Sequence, residues 1–163
     1  MPPPLAFFLT WTTYGTWLPG DRRGSTDHNR DSNQPRRIVP NEPLRSHAQQ
    51  IQRSDTVTLD PESRGVVNYA IHDLATEKRW AVHALNVRSN HVHLVVTAPG
   101  DPNRIMTASK ASATRRLRER GMAAPEQTLW TRHRSTRWIN DRQSLELAIR
   151  YTNDFQDDPR RFQ

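Results

Sequence analysis

Cysteine is absent from the 163 residues. That excludes disulfide scaffolds, zinc fingers, iron–sulfur clusters and thiol catalysis. No apolar run approaches the roughly 20 residues that a membrane span needs. The N-terminal Met1-Pro2-Pro3-Pro4-Leu5 has no positive segment ahead of its short apolar run, so it does not read as a signal peptide. Acidic residues are the minority charge, 17 Asp and Glu against 24 Lys and Arg, which leaves a formal net charge of +7. A basic excess of this kind points to a polyanionic partner, nucleic acid or an acidic membrane surface. Hydrophobic residues are only 34% of the chain. A chain of this length still buries roughly 70% of its unfolded surface, enough for an ordinary core. The expectation is one domain over residues 1–163, cytoplasmic and without a membrane partner.

The apolar residues are unevenly spread. Residues 5–18, LAFFLTWTTYGTWL, are rich in aromatic and β-branched types and read as a strand near 5–13 that turns at Gly15. Leu5, Phe7, Leu9 and Trp11 would share one face, and Ala6, Phe8 and Thr10 the other. Both faces are apolar enough for a central strand. Residues 19–58 hold four prolines and few large apolar side chains, and read as an irregular excursion with a short helix near 43–53. An excursion of that length is usually functional or disordered. Asp60-Pro61 is an N-cap followed by a first-turn proline, and the apolar spacing predicts a helix over 61–78. Strands follow at 80–87 and 92–97, joined by a turn at Arg88-Ser89-Asn90. Asp101-Pro102 starts a second long helix that runs to about 120, with Gly121 as its C-cap. Residues 128–139 read as a strand or hairpin, and Asn140 or Asp141 caps a last helix reaching about Phe155. This order predicts an α+β fold: a ferredoxin-like, RRM-like antiparallel sheet with helices packed on one face.

The sharpest local pattern is Asn90-His91-Val92-His93-Leu94-Val95-Val96. In a strand, His91 and His93 point to one face while Val92, Leu94 and Val96 point to the core. Two imidazoles on one face suit a divalent metal, and they equally suit a solvated sheet surface. Tyr151 lies in the last helix, to one side of a stripe made by Leu145, Ala148, Ile149 and Thr152. It fits an ordinary half-buried tyrosine or a metal- or base-assisted nucleophile.

Four segments in order carry a family resemblance. They are Thr10 to Gly24, Ser89-Asn90-His91-Val92-His93-Leu94-Val95-Val96, Lys110 followed by Ala113-Thr114-Arg115-Arg116-Leu117, and Leu129-Trp130-Thr131 followed by Ala148-Ile149-Arg150-Tyr151. Together they resemble the REP-associated tyrosine transposases, relatives of the small insertion-sequence transposases that use a His-hydrophobic-His motif and one tyrosine. The likeness spans about 7–24 and 60–156 and leaves most of 25–58 uncovered. It implies that Tyr151 attacks a phosphorus of single-stranded DNA, forming a 5′-phosphotyrosine and freeing a 3′-hydroxyl. It also implies Mg²⁺ or Mn²⁺ at His91 and His93, because a tyrosine of ordinary pKa near 10 needs help to attack at neutral pH. The covalent link keeps the bond energy, so rejoining needs no ATP.

The family usually places a third ligand one helical turn past the tyrosine. Here that position is Phe155, which cannot coordinate. Gln156 is the expected substitute, although it lies about 140° round an ideal helix from Tyr151, with Asp154 and then Asn153 behind it. The partner implied is single-stranded DNA with hairpins, REP-like palindromes, bound by a monomer or homodimer associated with the nucleoid. Expected DNA contacts are Arg22 and Arg23 in the glycine-flanked loop, Lys110, Arg115 and Arg116 in the second long helix, and Arg132 and Arg134 near Trp130 and Trp138. The rival readings are a hairpin-binding protein without cleavage activity, a metal hydrolase that activates water at His91 and His93, and a basic RNA-binding module.

Overall fold

A computed structural model describes residues 2–15, 25–27, 36–50 and 56–154. In chain order the elements are β1 (Ala6–Thr13), β2 (Ser25–Asp27), β3 (Arg36–Ile38), α1 (Glu42–Gln50), α2 (Pro61–Lys78), β4 (Ala81–Val87), β5 (His91–Thr97), α3 (Pro102–Glu119), β6 (Trp130–Ile139) and α4 (Arg142–Asp154). Four strands form one sheet in the order β4-β5-β1-β6, with every neighbouring pair antiparallel. With α2 and α3 as its two crossovers, this is the ferredoxin-like core expected from the sequence.

The helix boundaries have local causes. Asp60 accepts a hydrogen bond from the Ser63 N–H at 2.7 Å, and Pro61 occupies the first turn of α2, where its missing N–H costs nothing. Asp101 accepts from the Asn103 N–H at 2.9 Å and opens α3 in the same way. At the far end of α3, Gly121 adopts φ +71°, Gly121 N–H donates to Arg118 O, and Met122 N–H donates to Leu117 O. That is the left-handed stop for which glycine is suited. Asp141, rather than Asn140, caps α4 through the Ser144 N–H at 2.8 Å.

Between β1 and α2 the chain is less bare than the sequence suggested. Besides α1, which overlaps the helix expected near 43–53 and starts one residue earlier, β2 and β3 form a short antiparallel pair. Three-residue polar strands carry no alternation signal, so the sequence could not announce them. α1 buries none of its side chains.

The sheet has two unlike sides. Toward α2 and α3 lies the main core, where Phe7, Leu9, Trp11, Val92, Leu94 and Val96 meet Val67, Ile71, Ile105, Met106 and Leu117. Toward α4 lies a smaller cluster of Ala6, Ala84, Val95, Ile139 and Ala148, with Phe8, Leu145 and Ile149 against it. The expectation of helices on one face holds for α2 and α3. α4 covers the opposite side, because β1 is apolar on both faces and its Ala6 and Phe8 need a cover of their own.

Candidate active site

His91 and His93 alternate with Val92 and Leu94 on β5, so the pleat that fills the main core also aims both imidazoles toward α4. Their ring centroids are 4.8 Å apart. Far from lying on a wet surface, His93 is only 4% exposed. Phe8 stacks on it at 5.5 Å, and the Tyr151 ring meets it edge-on at 5.7 Å. Phe8 and Tyr151 are themselves 5.9 Å apart. Burial, and then the neighbouring His91, push His93 down to about 3, so it is neutral at physiological pH.

Both imidazoles are anchored through Nδ1. His91 Nδ1 lies 2.7 Å from Asn90 Oδ1, an acceptor, so Nδ1–H donates and Nε2 keeps its lone pair. His93 Nδ1 lies 2.8 Å from the Oγ1 of Thr10, its direct partner across the β1–β5 ladder. When that Nδ1–H donates, Nε2 of His93 is likewise left as a lone pair. Imidazoles held at Nδ1 by protein oxygens, with Nε2 left open, are the donor set that metal-ligating histidines present. The pair therefore fits a divalent cation, which would draw its remaining ligands from oxygen donors. Among the described residues no group of three or more His, Cys, Asp or Glu forms. Asp154 and Asn153 are exposed at the end of α4, and Gln156 lies outside the described residues.

α4 sets Tyr151 over the histidines by a specific tether. Asn86, which faces His93 across the β4–β5 ladder, donates its Nδ2–H to the carbonyl of Thr152 at 3.0 Å. This bond pins the last turn of α4 beside the imidazoles. Asn86 did not stand out in the sequence, and nothing there joined Thr10 to His93, because each contact is made only through a long-range pairing.

The expected basic contacts separate. Arg22 and Arg23 lie outside the described residues. Lys110 is half-buried and donates to the Thr131 carbonyl at 3.0 Å, and burial together with Arg134 lowers its pKa to about 8. Arg116 pairs with Asp73 at 3.1 Å, joining α3 to α2. Arg115, Arg132 and Arg134 are exposed, and Arg134 faces Trp11 across the β1–β6 ladder, on the α2–α3 side of the sheet. The two tryptophans also part company. Trp130 packs edge-on against buried Trp11 at 6.4 Å and donates Nε1–H to Thr114, whereas Trp138 is 56% exposed.

A solved structure of a REP-associated tyrosine transposase bound to a REP hairpin superposes with a TM-score of 0.51 at 14% identity, covering 90% of this chain and 63% of that one. This chain thus spans somewhat under two thirds of that protein's length. A Deinococcus radiodurans R1 protein, provisionally named a transposase, gives a TM-score of 0.49 at 16% identity over 90% of this chain and 88% of that one. At these identities the likeness is one of fold. No curated protein matches the sequence. Residues 47–154 match the family described as "Transposase IS200 like", and the chain belongs to that family of DNA-processing proteins.

Proposed function

We propose that the protein cleaves and rejoins single-stranded DNA beside hairpins, with Tyr151 as nucleophile. The observation that carries this reading is the Tyr151 ring set 5.7 Å from buried His93, whose partner His91 is 4.8 Å away. Membership of the IS200-like family supports it, as does the hairpin bound by the structurally similar REP-associated transposase. In the cleavage step a bond forms between the phenol oxygen and phosphorus, the P–O3′ bond breaks, and the phenol proton is lost as the 3′-oxygen gains one. The product is a 5′-phosphotyrosine and a free 3′-hydroxyl, and attack by a 3′-hydroxyl on that ester reverses the step. A divalent ion held by His91 and His93 would supply charge stabilisation at the phosphate oxygens. Asn90 and Thr10 orient the imidazoles, Asn86 holds the helix that carries Tyr151, and Phe8 walls the site on its apolar side.

The test is incubation with labelled hairpin-tailed single-stranded DNA and Mn²⁺ or Mg²⁺, resolved on a denaturing gel. A metal-dependent adduct that survives SDS and disappears in Tyr151→Phe is expected, with hairpin binding retained by the variant. Tight hairpin binding with no adduct would instead identify a binder without cleavage activity, the reading that Phe155 in place of a ligating residue favours. Turnover without an adduct would identify a metal hydrolase.

A further inference from the structure

The geometry points to Arg137 as a substrate-contacting residue whose guanidinium holds the phosphate that Tyr151 attacks. The inference rests on the phosphotyrosine reading and adds to it a residue that no motif marks. Arg137 stands directly across from Phe8 in the β1–β6 ladder, and directly opposed residues share a sheet face. It therefore lies on the α4 side, with the histidines and the tyrosine. Its guanidinium carbon sits 5.7 Å from the centre of the Phe8 ring. That ring also stacks on His93 and meets Tyr151 edge-on. His93 reaches Phe8 from the β5 flank and Arg137 from the β6 flank, so one aromatic ring spaces the cation from the imidazoles. The cation–π contact holds the guanidinium in place without neutralising it. Arg137 is exposed and forms no ion pair among the described residues, so its charge is available to an anion bound on the α4 side of the sheet.

Three of the other basic residues do not serve as well. Arg134 belongs to the far side of the sheet, Arg116 is paired with Asp73, and Lys110 is spent on the Thr131 carbonyl. A phosphodiester under attack gathers charge on its two non-bridging oxygens. A planar guanidinium meets both with parallel N–H donors. A donor set beforehand against that developing charge is worth about a hundredfold in rate.

Two measurements test the assignment. The first uses Tyr151→Phe protein, which binds without cleaving, and a hairpin whose single-stranded tail carries one neutral methylphosphonate at successive positions. One position should weaken binding about three- to tenfold when Arg137 is present, and leave Arg137→Ala unaffected. If every position carries the same penalty in both proteins, Arg137 does not hold a phosphate and the inference is overturned. The second restores Tyr151 and follows adduct formation with unmodified DNA. Arg137→Ala should be slower by about a hundredfold, with DNA affinity lowered only by the factor lost at that one phosphate. Arg137→Lys should regain part of the rate, because it keeps the charge and loses the fork. An equal loss of rate and affinity would also overturn the inference, since it marks uniform binding. Should the parent protein form no adduct while one phosphate still depends on Arg137, the contact stands and the cleavage reading falls. Unchanged thermal melting of Arg137→Ala, expected for an exposed side chain, keeps folding out of the comparison.

Discussion

The two sides of the β4-β5-β1-β6 sheet are made by the same strands and put to different uses. Toward α2 and α3, β1 and β5 present Phe7, Leu9, Trp11, Val92, Leu94 and Val96, all essentially inaccessible to solvent. Toward α4 the same two strands present Ala6, Phe8, Thr10, His91, His93 and Val95. One side is uniformly apolar and packed by two helices of 18 residues, whereas the other mixes imidazole, hydroxyl and phenol under a single helix of 13. Desolvating polar groups costs stability unless each is hydrogen-bonded. The α4 side meets that cost with the Nδ1 anchors and the Asn86 tether, while the opposite side supplies the apolar burial that offsets the remainder. On the proposed function, stability and chemistry are thereby kept on separate faces, one pleat apart.

If that division holds, single substitutions on the two sides of the sheet should have unlike consequences. Leu94→Ala empties a site of zero exposure in the main core. It should cost about 3 kcal/mol of unfolding free energy in urea denaturation. Tyr151→Phe should change stability by less than about 0.5 kcal/mol, while adduct formation falls by at least about a thousandfold. A Tyr151→Phe protein that melted as early as Leu94→Ala would mean that the α4 side carries the fold as well.

Acid should expose the cost of the buried imidazole. His93 has a folded pKa of about 3 against an ordinary 6.5, so the unfolded chain binds its proton more readily. This contribution to stability is complete above pH 6.5 and is lost as pH falls from 6.5 through 3. With a chelator present, the expected slope approaches about 1.4 kcal/mol per pH unit inside that window. His93→Gln, which keeps a partner for Thr10, should flatten it. Parallel curves for the two proteins would show that His93 is hydrated in the folded chain.

Much of this division was legible in the residues, and the limits are physical. Asp60-Pro61 and Asp101-Pro102 mark helix starts because capping is local chemistry, and α2 spans the residues that the apolar spacing gave it. The alternation of His91 and His93 with Val92 and Leu94 also follows from the strand period alone. The side of the sheet on which α4 packs did not follow. An amphipathic stripe says which face of a helix is apolar, and is silent on which sheet face receives it. Thr10 meets His93 across 83 positions, and Asn86 meets Thr152 across 66. Such partners depend on strand register, which no local pattern states. Arg137 is the same case: it stands three positions from Arg134 in the sequence, and only the ladder opposite Phe8 puts it on the other side of the sheet.

Two smaller effects sharpen the contrast at the joint between the two sides. Asn86→Ala removes a side-chain bond to the last turn of α4, a loss of about 1 kcal/mol. Adduct formation should slow by about tenfold while hairpin affinity stays within about twofold, since the tether's effect is to orient Tyr151. Just upstream, Arg79 ends α2 in the left-handed region at φ 58°, ψ 39°. A non-glycine residue there carries a steric cost of roughly 1–2 kcal/mol. Glycine relieves it while giving back roughly 0.4–1 kcal/mol through the freer unfolded chain. Arg79→Gly should therefore stabilise the protein by about 0.5 kcal/mol, a rise of about 1–2 °C in Tm. Because Arg79 lies between α2 and the strand that carries Asn86, the adduct rate should not change. A faster rate in the stabilised variant would mean that the packed side limits how firmly Tyr151 is held.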